Sequence, residues 1–385
     1  MRLQPLAGDA VEVVAAARRM LEGTGPALGL GMVGEAPSHV PEGTAAVITT
    51  SGSTGVPKSV VLSRDALLAS TDATAARIGE GAWLLALPPG YIAGLQVLVR
   101  SLRAGREPVL LPGRFDPAAF AEAALTLPPG SYTSLVPAQL QRLLDAAGTD
   151  HAVAAALRAF AAILVGGQAL PAATLDRAQD AGARVVRTYG STETCGGCVY
   201  DGVPLPGAQV AIVDGEVRLA GPMLADGYLG DAALTDAVFV PGDDDTRWYR
   251  TGDAGVLDDD VLRIHGRIDN VIVSGGVNIS LDRVERVVRD VAGLAGAVVV
   301  GVPDQRWGEA SVIVVARGQA LRRSDSARRH EARRDEAHLD EARRAVADRL
   351  GAAWRPARLV VVDELAALPS GKPDREAIRR AIAAP

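Results

Sequence analysis

The sequence predicts an α/β fold: a large N-terminal domain of mixed sheets layered with helices, and a small C-terminal α+β domain from Asp269 onward. Three observations predict it. Up to residue 200, short apolar or β-branched runs alternate with Ala-rich stretches, the pattern of a parallel or mixed sheet with crossover helices. Between 208 and 265 the chain becomes strand-like and is punctuated by Gly and Asp. Beyond Asp269 a further helix and three strands follow, so we divide the chain into 1–268 and 269–385.

Taken in order, Val11–Leu21 reads as a helix rich in Ala and Val, with Arg18 and Arg19 near its end. Ala45–Thr49 is a β-branched strand that runs straight into a Gly-rich turn. Ser63 is a good N-cap and Asp65 supports the first turn of the helix it opens. The runs at 83–89, 108–112, 131–137, 161–167 and 184–190 supply the sheet. Segments 208–219, 247–257 and 260–265 close the first domain. In the second, Leu281–Val291 is a helix, and Ala297–Val302, Ser311–Ala316 and Arg358–Val362 are strands. Residues 322–345 alternate Arg with Glu and Asp, which suits a solvated helix or frayed insert and dilutes any basic arm.

A length of 385 residues allows two or three domains, and 48% apolar residues can build a core for each. Glycine, at 42 residues, exceeds the usual ~7%, which points to many special backbone positions. A net charge of −6, with no region-wide basic excess, argues against nucleic acid as the main partner. Asp9 and Glu12 interrupt the first apolar stretch and Arg18-Arg19 follow it, the reverse of a signal peptide. No run of ~18 apolar residues would insert into a membrane, so a cytoplasmic protein is expected. Cys195 and Cys198 have redox or half-zinc spacing, but no second Cys pair or His cluster completes it. Two small packing residues in a reducing compartment are expected.

The most informative segment is Thr49-Thr50-Ser51-Gly52-Ser53-Thr54-Gly55-Val56-Pro57-Lys58. Glycines allow close approach, hydroxyls and backbone N–H groups donate, and Lys58 adds positive charge, as a phosphate cradle needs. A Walker A loop counted from Gly52 requires glycine where Pro57 stands, which argues against a P-loop ATPase or kinase.

This loop resembles the signature of the adenylate-forming superfamily. Four further stretches match in the right order: Tyr189-Gly190-Ser191-Thr192-Glu193, Tyr249-Arg250-Thr251-Gly252-Asp253, Gly266-Arg267-Ile268-Asp269 with Gly275-Gly276, and Pro369-Ser370-Gly371-Lys372. Five motifs in order over residues 49–372 are highly specific. The resemblance implies the adenylate-forming fold with a mobile C-terminal domain, ATP, Mg²⁺ and coenzyme A as cofactor or co-substrates, and small-molecule partners. It leaves a homodimer open. It implies that Thr50, Ser51, Gly52, Ser53, Thr54, Gly55 and Lys58 face phosphates, that Thr192 bonds the α-phosphate and that Glu193 holds Mg²⁺. Gly166, Gly167, Tyr189 and Gly190 would border the adenine, and Asp253 and Arg267 the ribose. Lys372 would bridge carboxylate and α-phosphate. Asp269 would be the hinge, and Gly275 and Gly276 would border the thiol channel.

For the acid, segments 87–102, 134–140 and 193–202 resemble the o-succinylbenzoate–CoA ligases of menaquinone biosynthesis, most closely the short actinobacterial type. Tyr91, Gly94, Arg100 and Ser134 are then the substrate-pocket candidates. Arg100 stands alone in an apolar stretch and needs an anionic partner, either a protein carboxylate or a substrate carboxylate assisted by Ser134. Many relatives carry an aromatic–His pair at Gly90-Tyr91; here no His is present. Ligases for another aryl or short-chain acid, and adenylation enzymes that load a carrier protein, remain as alternatives. A non-catalytic nucleotide sensor fits poorly, since Lys372 and Glu193 are both present.

Overall fold

A computed structural model of the chain describes residues 1–32, 37–50, 57–317, 325–368 and 372–383, without the side chains of 325–334 and 383. Ser51, Gly52, Ser53, Thr54 and Gly55, and residues 369–371 before Lys372, lie outside the described residues. The chain divides into two compact units. The first is Met1–Leu170, Asp176–Thr251 and Val256–Arg263; the second is Pro171–Leu175, Gly252–Gly255 and Ile264–Pro385.

In the first unit, one sheet runs Leu3–Leu6, Ala27–Leu30, Thr44–Thr50, Lys58–Ser63 and Gly227–Tyr228. Its first three strands are parallel and the last two antiparallel, with Thr50 and Lys58 paired across the ladder. A second sheet orders Val203–Pro204, Gly196–Tyr200, Val185–Ser191, Ala162–Val165, Tyr132–Leu135, Trp83–Leu85 and Val109–Leu110. The last five are parallel, and Gly196–Tyr200 returns antiparallel from Val185–Ser191. Ala162–Val165 is buried along its whole length, which explains a continuous apolar run in place of alternation. Phe120 and Phe160, with tilted rings 5.8 Å apart, centre the core between this sheet and helices Pro117–Leu125, Pro137–Ala147 and His151–Ala159. A third sheet runs Gln209–Val213, Glu216–Ala220, Arg247–Asp258 and Phe239–Pro241.

Helix starts follow elementary capping chemistry. Ser63 accepts from the Ala66 N–H at 3.2 Å, and Asp116 accepts from Ala118 and Ala119 with Pro117 at the first helical position. The helix Ile92–Arg103 has no such side-chain cap. It is buried over nearly its whole circumference, and its first turn lies close to the Pro88-Pro89 segment. A Cβ on Gly94 would stand 2.2 Å from the Pro88 carbonyl oxygen, so only glycine lets the helix start there.

The second unit packs one sheet between two helical layers. Val299 and Ile313 face the core of helices Leu281–Arg289 and Asp325–Leu350. Val298, Val300 and Val302 face Ile378 and Ile382 of Arg375–Ala383. That period-two division is what a strand covered on both faces requires. Val271–Ser274 and Val277–Ser280 form a hairpin whose turn, Gly275-Gly276, takes φ of 56° and 80°, the left-handed pair a two-residue loop needs. The charged run, expected as a solvated or frayed segment, continues as helix to Leu350. There Ala342 and Val346 bury against the Leu281–Arg289 side. No described helix is long and apolar enough to cross a membrane.

Gly94→Ala should lower the stability of the first unit by about 1–3 kcal/mol through overpacking, read as a lower urea midpoint at unchanged slope.

Candidate functional site

Parallel strands deliver their C-terminal ends to one edge of a sheet, where open α/β folds place ligands. In the second sheet that edge carries residues 86–91 after Trp83–Leu85, Gly166-Gly167 after Ala162–Val165, and Thr192-Glu193 after Val185–Ser191. Ser134, buried, is the third residue of Tyr132–Leu135, and Tyr91 and Gly94 lie at the start of the helix that follows residues 86–90. Burial raises the Tyr91 phenol above its ordinary pKa, so it stays protonated.

Glu193 is held from both ends. Its carbonyl accepts the Ala225 N–H at 2.8 Å, and its carboxylate Oε1 accepts the Tyr228 hydroxyl at 2.9 Å. Lys58 Nζ lies over the same Tyr228 ring, 5.7 Å from its centre. Tyr228 therefore joins a cation from the first sheet to a carboxylate beside the second. Burial, and then the adjacent Glu193 charge, push its phenol pKa well up and keep it an O–H donor. The Ser191 hydroxyl is buried with no protein partner among the described residues. Tyr189 pairs with Val199, and Gly190 admits no side chain, since a Cβ would stand 2.2 Å from the Gly196 carbonyl.

The turn after Glu193 is fixed by residues that sequence reasoning missed. Cys195 takes φ 50°, and its carbonyl accepts both Gln96 Nε2 at 2.8 Å and the Ser70 hydroxyl at 3.0 Å. Thr194, fully buried, donates to the Gly196 carbonyl at 2.7 Å and accepts the Ser191 N–H at 2.9 Å. Gln96 carries no motif; the available signal was a lone amide inside an apolar helix. Cys195 and Cys198 are free, buried thiols, and among the described residues no three His, Cys, Asp or Glu side chains gather for a metal.

Arg100, the remaining substrate-pocket candidate, is buried in the last turn of the helix Ile92–Arg103, eight residues beyond Ile92. Its guanidinium lies 5.3 Å from the centre of the ring of Trp83, the first residue of its strand.

In the second unit, Arg267 Nε and Nη2 bond the two oxygens of Asp269 at 3.0 and 3.1 Å, and Nη1 reaches Asp253 at 3.4 Å. Its backbone N–H donates to Asp282 at 2.7 Å. The Gly275 N–H donates to the Trp307 carbonyl at 2.9 Å. Lys372 is exposed, and its carbonyl accepts the Leu368 N–H at 2.8 Å. Three residues on, Arg375 bonds the buried Glu285 at 2.7 Å and anchors the helix that follows the lysine.

The family model described as AMP-binding enzyme matches residues 8–229, and the model for its C-terminal domain matches 283–372. The chain belongs to the AMP-binding enzymes. Among its relatives, a probable 2-succinylbenzoate–CoA ligase of Mycobacterium tuberculosis is 39% identical over 399 residues, covering 98% of this chain and 97% of that one. The 2-succinylbenzoate–CoA ligase of Escherichia coli is 34% identical, over 69% of this chain and 57% of its own length. The solved structure of o-succinylbenzoate CoA synthetase from Bacillus subtilis, in complex with its acyl-adenylate intermediate, superposes with a TM-score of 0.72. It is 25% identical, over 98% of this chain and 83% of that one.

Burial pushes the Cys198 thiol up to about 12 and that of Cys195 higher still. The folded chain thus keeps protons that the unfolded chain releases above about pH 8.5. Stability should be full below that pH and fall as pH rises past it, with both thiols inert to an aromatic disulfide reagent until urea unfolds the chain.

Proposed function

We propose that the chain is an AMP-forming acid–thiol ligase that converts o-succinylbenzoate, ATP and coenzyme A to o-succinylbenzoyl-CoA, AMP and pyrophosphate. The observation that carries this reading is the Lys58–Tyr228–Glu193 constellation beside the C-terminal edge of a parallel sheet. The choice of acid leans on the near full-length likeness to the mycobacterial relative.

In the first half-reaction a carboxylate oxygen of the acid attacks the α-phosphorus of ATP and pyrophosphate leaves. In the second, the coenzyme A sulfur attacks the acyl carbon, AMP leaves, and the thiol proton passes to solvent. Two anions must meet, so positioned cations and donors set the barrier. Lys58 and the hydroxyls of Ser191 and Thr192 would face phosphate oxygens, and Asp253 and Arg267 the ribose. Gly166, Gly167 and Tyr189 would border the adenine, and Tyr91, Gly94, Arg100 and Ser134 the acid. Lys372 would bridge carboxylate and α-phosphate, with Asp269 the hinge about which it is exchanged for the Gly275-Gly276 turn.

A divalent cation fits this site. Glu193 offers a single carboxylate with Oε1 held by Tyr228, and Mg²⁺ takes one or two such ligands with phosphates and water filling the rest. Mg²⁺ held there by Glu193 would supply charge neutralisation on the phosphates. The two free, buried thiols support a cytoplasmic setting.

An ATP–pyrophosphate exchange screen over aromatic and aliphatic acids tests the assignment. o-Succinylbenzoate should give the highest exchange, and preference for another aryl or short-chain acid would reassign the substrate. Lys372→Ala should abolish exchange yet leave thioester formation from supplied acyl-adenylate largely intact; equal loss in both would refute its role. Tyr228→Phe should lower kcat/KM for exchange roughly tenfold or more, as loss of a hydrogen bond to a charged group implies, with the deficit partly recovered at raised Mg²⁺.

A further inference from the structure

Where a parallel sheet opens into a ligand crevice, neighbouring strands part, and some contact must fix how far. In the second sheet this happens on one side of Tyr132–Leu135. Ala162–Val165 keeps register with that strand as far as Leu135, and the Gly166 N–H then reaches the Leu135 carbonyl at 3.3 Å. On the other side the last registered pair is Thr133 with Leu84. Ala86 and Val136 lie beyond it, where the two chains lead to the acid-pocket candidates.

The side chain of Gln139 spans that gap. Its Oε1 accepts the Val136 N–H at 3.0 Å, and its Nε2 donates to the Ala86 carbonyl at 2.8 Å. The first bond is what any Gln or Glu gives at the third position of a helix, here Pro137–Ala147, to the residue that precedes it. The second needs a donor, which an ionised Glu lacks, so it is the contact with Ala86 that requires an amide. From Ala86 the chain runs to Pro88, whose carbonyl accepts the Tyr91 N–H at 3.3 Å and leaves no room for a Cβ on Gly94. Beside Val136, Leu135 faces the core with Phe120; by alternation Ser134 faces the other way, the side on which the helix Ile92–Arg103 packs.

From this arrangement we infer that Gln139 is a positioning residue for selection of the acid, its carboxamide holding the Tyr91–Gly94 wall of the pocket at a set distance from the Ser134 wall. The inference rests on the acid pocket of the ligase reading and deepens it.

Gln139→Glu tests it, because a carboxylate keeps the Val136 bond and sets a negative oxygen against the Ala86 carbonyl. In pyrophosphate exchange the KM for o-succinylbenzoate should rise roughly fivefold or more while the KM for ATP stays the same. The preference for o-succinylbenzoate over benzoylpropionate, the same acid without its ring carboxylate, should shrink by a similar factor. A merely structural role would lower kcat for every acid alike, through less folded enzyme, and leave both KM values and the preference untouched. That result overturns the proposal, and so do KM values for acid and ATP that rise together. Should Gln139→Glu fail to fold, Gln139→Met, similar in volume and free of charge, decides by the same preference: a reduced one supports the role and an unchanged one overturns it. Wild-type exchange that favours a different acid refutes the substrate assignment, and the KM for that acid in Gln139→Glu, raised or unchanged, then decides for or against Gln139 separately.

Discussion

The carboxamide of Gln96 is the contact on which the described half of the site in the first unit rests. It is buried and satisfied at both ends: Oε1 accepts the Thr71 hydroxyl at 3.0 Å, and Nε2 donates to the Cys195 carbonyl at 2.8 Å and toward that of Leu67 at 3.4 Å. Cys195 sits in the left-handed region, which costs a non-glycine residue roughly 1–2 kcal/mol and persists only where surroundings over-determine it. Gln96 and Ser70 are those surroundings. They tie two helices to the turn that presents Glu193, so the carboxylate is aimed by buried polar groups and not by its own rotamer preference.

Charge in this half is arranged sparingly. Tyr228 donates to Glu193 and offers its ring face to Lys58, so a single aromatic side chain holds an acid and a base apart yet adjacent. Were Lys58 to pair directly with Glu193, each would cancel the charge the other needs for a phosphate or a divalent cation. The second unit solves a related problem by burial. Glu285 gathers Arg289, Arg375 and the Val299 N–H, three donors for a carboxylate only 5% exposed, and so fixes the helix just beyond Lys372.

How much of this was legible in the sequence follows from what each feature depends on. Strands such as Ala162–Val165 and caps such as Ser63 and Asp116 announce themselves, because burial on both faces and orphan N–H groups are local demands. Glu193 was legible through its motif. Gln96, Ser70 and Tyr228 were not, since their partners lie 99, 125 and 35 residues away and no spacing encodes such contacts. The burial of Arg100 was legible from its place in an apolar helix, whereas its contact with the face of Trp83 was not, since that residue lies in a separate strand. The left-handed hairpin at Gly275-Gly276 reads from the glycine pair, whereas the docking of the charged helix depends on Ala342 and Val346, inconspicuous among so many charges.

Arg267 ties these strands together. Its fork is spent on Asp269 at 3.0 and 3.1 Å, and the bond to Asp253 at 3.4 Å is longer than charged N–H···O contacts usually are. The guanidinium thus belongs first to the residue proposed as hinge and only secondarily to the residue proposed for the ribose. The backbone N–H of Arg267 donates to Asp282, and Arg375 lies 3.5 Å from that same carboxylate. Asp282, a residue that belongs to none of the five motifs, thus joins the backbone beside the proposed hinge to the helix that follows Lys372.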